Sequence, residues 1–246
     1  MSAAALRALH VPGTPLLLPN IWDAAGARQV VAAGFPVVAT GSAAVAESLG
    51  YPDHEGAPPD EMFAAAARIA RAVDVPVTVD AEAGYGLAPA ELAARLAGAG
   101  AVGCNLEDTD HATGGLADPA RHADRIAALR AADPDLVINA RVDVFLRAED
   151  QHAVLKEGVE RAEAYLAAGA DCVYPILVRD AGVLAAFVDA LRPAAVNALY
   201  LPAGPGLEAL AGMGVARISL GAGLWRYTQS YVEKTLRGLA DGVAPY

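Results

Sequence analysis

Four acidic segments stand at or just beyond the ends of apolar runs: Tyr51-Pro-Asp53-His-Glu, Val79-Asp80-Ala-Glu82-Ala-Gly-Tyr-Gly86, Asn105-Leu-Glu107-Asp108 and Asn139-Ala-Arg141-Val-Asp143. A carboxylate near a buried strand is costly unless a cation or a hydrogen-bonding partner offsets it. One such carboxylate is most simply a solvated group or a helix cap. Three sites at consecutive run ends point instead to a shared hard cation, with Asp80, Glu82 and Glu107 as its oxygen ligands. Arg141 closes a run and so is rigidly placed, which suits a fixed charge partner; an ion pair with Asp143 or Glu107 is the structural alternative.

Those positions need strands to hold them. Apolar runs recur at 16–19, 36–40, 76–81, 102–107, 136–141, 172–176, 195–199 and 216–220. Ala-rich helical patterns lie between or after them, at about 22–33, 59–72, 89–98, 118–132, 150–168, 180–191, 206–213 and 223–239. Several helical patterns end in Ala-Gly signals, as at Ala33-Gly34-Phe35, Ala99-Gly100-Ala101 and Ala168-Gly169-Ala170. The runs are continuous rather than alternating, as parallel strands buried on both faces require. Eight βα units in 246 residues predict a single-domain (β/α)8 TIM barrel over 1–246. An open doubly wound sheet is the alternative, but Pro19-Asn-Ile-Trp-Asp23 is not the Gly-rich first turn it would want. In a barrel the strand C-termini share one face, so the acidic segments converge there.

Composition narrows the chemistry. The chain is 55% hydrophobic and 19% charged, enough for a large core, and its net charge of −11 argues against nucleic acid or an anionic membrane as partner. Cys104 and Cys172 lie inside apolar runs and read as buried thiols. The N-terminus lacks a signal-peptide pattern and no apolar stretch reaches a membrane span, so a cytoplasmic protein is expected.

The segment Thr40-Gly-Ser-Ala-Ala-Val-Ala-Glu-Ser-Leu-Gly-Tyr-Pro-Asp53, together with Val79–Gly86, Asn105–Asp108 and Ile138–Asp143, resembles the isocitrate lyase/phosphoenolpyruvate mutase superfamily in order and spacing. The resemblance implies a Mg2+-dependent enzyme, with Mn2+ as an alternative ion, that makes or breaks a C–C or P–C bond next to a 2-oxo acid through a metal-bound enolate. It implies Asp80, Glu82 and Glu107 as the metal group, with Glu82 standing where most members have aspartate. Arg141 would balance the developing anion. Thr40, Gly41 and Ser42 would hold the substrate carboxylate, although helix capping after the second strand would also explain Thr40 and Ser42. Asp53 would lie at the reacting end of the substrate, and Asn197 would be a polar residue of the pocket. The resemblance also implies a homo-oligomer, dimer or tetramer. Exchange of a C-terminal helix is not expected, because the last helical pattern is assigned to the eighth unit.

Two departures matter. Isocitrate and methylisocitrate lyases carry a Lys/Cys/His loop after the fourth strand, where this chain reads Thr109-Asp-His-Ala-Thr-Gly-Gly-Leu116. Neither Cys nor Lys is present, and His111 is the candidate acid, with a solvated loop histidine as the alternative. The sixth run ends in Tyr174-Pro-Ile-Leu177, which suits a smaller or less polar substrate. The leading expectation is therefore a lyase that decarboxylates or cleaves an oxaloacetate-like acid. Cleavage or rearrangement of a P–C bond in a phosphonopyruvate-like substrate, a non-catalytic metabolite-binding barrel, and phosphate binding by the glycine-rich turns at 202–206 and 221–223 are the alternatives.

Overall fold

The computed structural model describes residues 2–245. Its strands are β1 (Leu16–Leu18), β2 (Asn20–Ile21), β3 (Val38–Thr40), β4 (Val77–Asp80), β5 (Gly103–Glu107), β6 (Thr109–Asp110), β7 (Gly115–Leu116), β8 (Val137–Val142), β9 (Cys172–Pro175), β10 (Ala195–Leu199) and β11 (Arg217–Ser219). All but β6 and β7 form one sheet in the order β1-β11-β10-β9-β8-β5-β4-β3-β2, with every pair parallel. β1 and β2 are two halves of one strand parted at Pro19, which has no N–H to give a ladder. The first half pairs with β11 and the second with β3, so the sheet closes on itself. The result is the eight-position barrel that the apolar runs imply, with its first strand reaching Ile21 rather than ending at Pro19.

The helices are α1 (Ala3–Ala8), α2 (Ala24–Ala32), α3 (Ser42–Leu49), α4 (Pro59–Ala70), α5 (Pro89–Gly98), α6 (Pro119–Ala132), α7 (Val144–Arg147), α8 (Leu155–Ala167), α9 (Ala181–Ala190), α10 (Leu207–Met213) and α11 (Gly223–Ala240). Local chemistry sets many of their ends. Asp23, Asp118 and Asp180 accept first-turn backbone N–H groups. Pro59, Pro89 and Pro119 occupy first helical positions, where a missing N–H costs nothing. The Gly34, Gly100 and Gly169 stops all have positive φ. α1 closes the N-terminal end of the barrel, with Leu6 fully buried beside Leu16, Leu18, Val37 and Val137.

The last helix departs from the sequence reading. α11 has no buried residue and does not cover the eighth unit as an amphipathic barrel helix would. Only its root is docked. The Trp225 ring meets Trp22 edge-on at 4.9 Å, and its indole N–H donates to the Glu47 carboxylate. The rest of the helix leaves Tyr227, Tyr231 and Leu236 exposed.

Candidate active site

At the C-terminal mouth of the barrel lies a cavity of about 310 Å3. Parallel register puts its chemistry in adjacent rows: Asp80 pairs with Asn105, and Glu107 pairs with Arg141. Asp80 is fixed by its neighbour strand. Its N–H donates to the Thr40 hydroxyl at 2.9 Å, and its Oδ2 accepts the Ser42 N–H at 3.0 Å. Its Oδ1 is buried and has no hydrogen-bond partner among the described residues. A carboxylate oxygen in that state is held ready for something outside the protein.

The other two carboxylates of the expected metal group are already engaged. Glu82 is 2% exposed; its Oε2 accepts the Glu55 N–H at 2.5 Å and its Oε1 accepts the Tyr85 hydroxyl at 2.9 Å. It does not line the cavity, and it ties the loop carrying Asp53 and His54 to the barrel. Glu55 completes the lock by accepting the Tyr85 N–H at 2.5 Å. His54, Glu55, Glu82 and Tyr85 all have positive φ without being glycine, a local concentration of backbone strain. Glu107 is 3% exposed and lies between the Arg141 guanidinium at 2.5 Å and His111 Nε2 at 2.7 Å.

Electrostatics fits a site short of positive charge. Burial, then the neighbouring Asp80, pushes the Glu82 carboxyl up to about 8. Burial pushes Glu107 up to about 7 despite the lowering influence of Arg141 and His111. Arg141 stays charged although it is buried, because Glu107 and Asp143 more than offset desolvation. Asp143, itself inaccessible, grips Arg141 with two hydrogen bonds of 2.7 Å and is held below the usual carboxylate range by that contact. Arg141 lines the cavity, and its Nη1 is the guanidinium nitrogen with no hydrogen-bond partner among the described residues.

Among the described residues, no three His, Cys, Asp or Glu side chains converge closely enough to hold an ion by themselves. Mg2+ does not require that, since it keeps several waters and takes one or two carboxylates. The unpartnered Asp80 Oδ1 fits one direct ligand; Glu107, two residues beyond Asp80's β5 partner Asn105, has one oxygen on Arg141 and the other on His111 and does not line the cavity. Glu82 is placed as a support for the loop.

The remaining expected positions divide. Asp53, Gly41 and Ser42 line the cavity. The Gly41 N–H is spent on Ile21 O and the Ser42 N–H on Asp80, so the Ser42 hydroxyl is what this segment offers a ligand. Thr40 is 3% exposed and serves Asp80. Asn197 does not reach the cavity; it is fully buried and bonded to Ser219, which does. His111 faces two neighbouring cavities and anchors the β6–β7 hairpin through Glu107. Arg147 ties the same hairpin at Gly114 O. The two thiols are buried, with their ionisation pushed up to about 12 by burial, and serve no nucleophilic role.

Several site residues carried no sequence signal. Asn20 accepts the Leu220 and Gly221 N–H groups and gives its amide N–H to Thr40 O, joining the turns around the mouth. Asn105 Oδ1 accepts from Asn139 Nδ2 at 2.8 Å and from Arg217 Nη2 at 3.1 Å, so its own NH2 is turned to the cavity it lines. Arg226 and Tyr174 complete the wall. Asn105 stood inside a recognised segment; Arg226 lay in an undistinguished helical stretch.

Comparison with known proteins agrees with this geometry. The family model described as phosphoenolpyruvate phosphomutase matches residues 6–240. The chain is 36% identical over 235 residues to the Mycobacterium tuberculosis protein Rv1998c, covering 95% of this chain and 88% of that one. A crystal structure from Burkholderia cenocepacia J2315, provisionally assigned as a phosphonomutase, superposes with a TM-score of 0.87 at 43% identity, covering 98% of this chain and 99% of the other. Oxaloacetate acetylhydrolase with its product oxalate superposes with a TM-score of 0.85 at 25% identity, covering 97% and 86%.

Proposed function

The chain belongs to the phosphoenolpyruvate mutase/isocitrate lyase superfamily, and from that premise we propose that it is a Mg2+-dependent lyase acting on a small 2-oxo carboxylate. The reaction is decarboxylation or C–C cleavage of an oxaloacetate-like acid. The observation that carries this reading is the unpartnered Asp80 Oδ1 at the floor of a cavity walled by Arg141. When bound, Mg2+ would supply Lewis-acid stabilisation of the oxygen on which charge develops as the bond breaks. Arg141, fixed by Asp143 and Glu107 and lining the same cavity, would offer that charge a preorganised electrostatic contact. Asn105 presents an amide donor, and the Ser42 hydroxyl a second group for the substrate carboxylate. Leu146, Ile176 and Leu177 give the cavity an apolar side.

A second reading, P–C bond cleavage or rearrangement, has the support of Asp53 on the cavity wall and of the family model's description. The test is incubation with oxaloacetate and with phosphonopyruvate, with and without Mg2+, measuring pyruvate, CO2, oxalate, acetate, phosphoenolpyruvate and phosphate. Pyruvate and CO2, or oxalate and acetate, from oxaloacetate, abolished by chelation and by Asp80→Asn, is the expected result. Phosphate or phosphoenolpyruvate from phosphonopyruvate alone selects the second reading. Turnover of neither, with Mg2+-dependent ligand binding intact, leaves a metabolite-binding barrel. We also propose a homo-oligomer, on the strength of the exposed apolar residues of α11.

A further inference from the structure

Two guanidinium groups line the cavity, and they differ in state. Arg141 is gripped by Asp143 and Glu107. Arg226 is exposed, on the first turns of α11, and has no carboxylate or carbonyl partner for its side chain among the described residues. In a chain with 29 acidic against 18 basic residues, an arginine that lines the same cavity as Asp53 and Asp80 yet pairs with neither is not explained by internal pairing.

Its backbone is not that of a loose surface arginine. The preceding turn is pinned because Leu220 and Gly221 both donate to Asn20 Oδ1 at 2.9 Å. The adjacent Trp225 packs on Trp22 and donates to Glu47. The guanidinium is therefore carried to the cavity by an anchored turn. The end of β9 offers the opposite chemistry: Ile176 and Leu177 are apolar and would reject a charged group.

We propose that Arg226 is a specificity residue that binds a second oxyanion of the substrate, distal to the 2-oxo carboxylate. A guanidinium fork matches a carboxylate or a phosphonate, and a cavity of about 310 Å3 limits the spacer to a few atoms. The proposal rests on the 2-oxo acid reading above and adds to it the residue that holds the distal anion and rejects a substrate without one.

The test is equilibrium binding by calorimetry in the presence of Mg2+, with three ligands that differ at the distal end. 2-Oxobutyrate ends in a methyl, 3,3-difluorooxaloacetate in a carboxylate, and sulfopyruvate in a sulfonate standing for a phosphonate. Arg226→Gln is expected to weaken the dianionic ligands about 10- to 100-fold and to leave 2-oxobutyrate within about twofold. A loss confined to the difluoro compound identifies a carboxylate as the second oxyanion; a loss confined to sulfopyruvate identifies a phosphonate. Equal affinity of wild type and Arg226→Gln for all three ligands overturns the proposal, as does an equal loss for all three. Failure of the wild type itself to bind any of them with Mg2+ overturns the 2-oxo acid reading instead, and the proposal with it.

Discussion

Arg217 is the largest side chain held almost wholly out of solvent, and it has no carboxylate partner. Among the described residues its Nε and Nη1 have no partner, and Nη2 reaches only Asn105 Oδ1. Holding a cation there is expensive, and the contact to Asn105 is what the protein obtains from it. Arg217→Met keeps the volume and removes the charge. The expected result is a gain of about 1–3 kcal/mol in unfolding free energy by urea denaturation, with a fall in kcat/KM because the Asn105 amide loses one of the two donors that orient it. A destabilised variant would mean that the guanidinium's contacts outweigh its desolvation. The sequence did not announce this role, since Arg217 reads as an interruption in an apolar run, while Asp80, Glu107 and Arg141 are legible because each ends one.

Among the elements, α6 carries a titratable group in an apolar setting. His122 is 3% exposed, packs edge-on against Tyr165 of α8 at 4.8 Å, and is held neutral down to about pH 4 by burial and by Arg125. The unfolded chain would titrate near 6.5 and so binds more protons than the native state between those values. The stability contributed by His122 is thus fully present above about pH 6.5 and declines as pH falls toward 4, by about 3 kcal/mol. His122→Phe should flatten part of the slope of unfolding free energy between pH 7 and pH 4.5, and a variant with the wild-type slope would refute the assignment. His10, also held at about 4, adds a slope of the same sign, while Glu82 and Glu107, held at about 8 and 7, add slopes of the opposite sign. Eight βα units were readable because continuous apolar runs and glycine stops repeat along the chain. The lock joining Glu55, Glu82 and Tyr85 was not, because it depends on four non-glycine residues adopting positive φ, which side-chain chemistry does not encode. Glu82 therefore reads as a metal ligand in sequence and sits in the structure as a loop support.

At the scale of the whole molecule, α11 is the part that one copy of the chain does not account for. The sequence pattern is that of a helix with an apolar face, which suggested the eighth barrel helix; the structure leaves that face without a partner. Tyr227 is 75% exposed, Tyr231 63%, Leu236 58% and Leu239 47%. A helix of 18 residues with only its root docked gains little from tertiary burial, and propensity alone leaves such a segment marginal. Apolar side chains spaced along one helix, on a molecule whose other helices are packed, are the observation behind the homo-oligomer proposed above. A second copy of the chain offers the same helix and the same need, which a two-fold contact satisfies at once. The double substitution Tyr231→Glu and Leu236→Lys is therefore expected to reduce the solution mass from an oligomer to a monomer in sedimentation velocity at micromolar concentration. The barrel should keep its far-ultraviolet circular dichroism apart from the signal of α11. A wild-type protein that sediments as a monomer at that concentration would show that the face is covered in some other way.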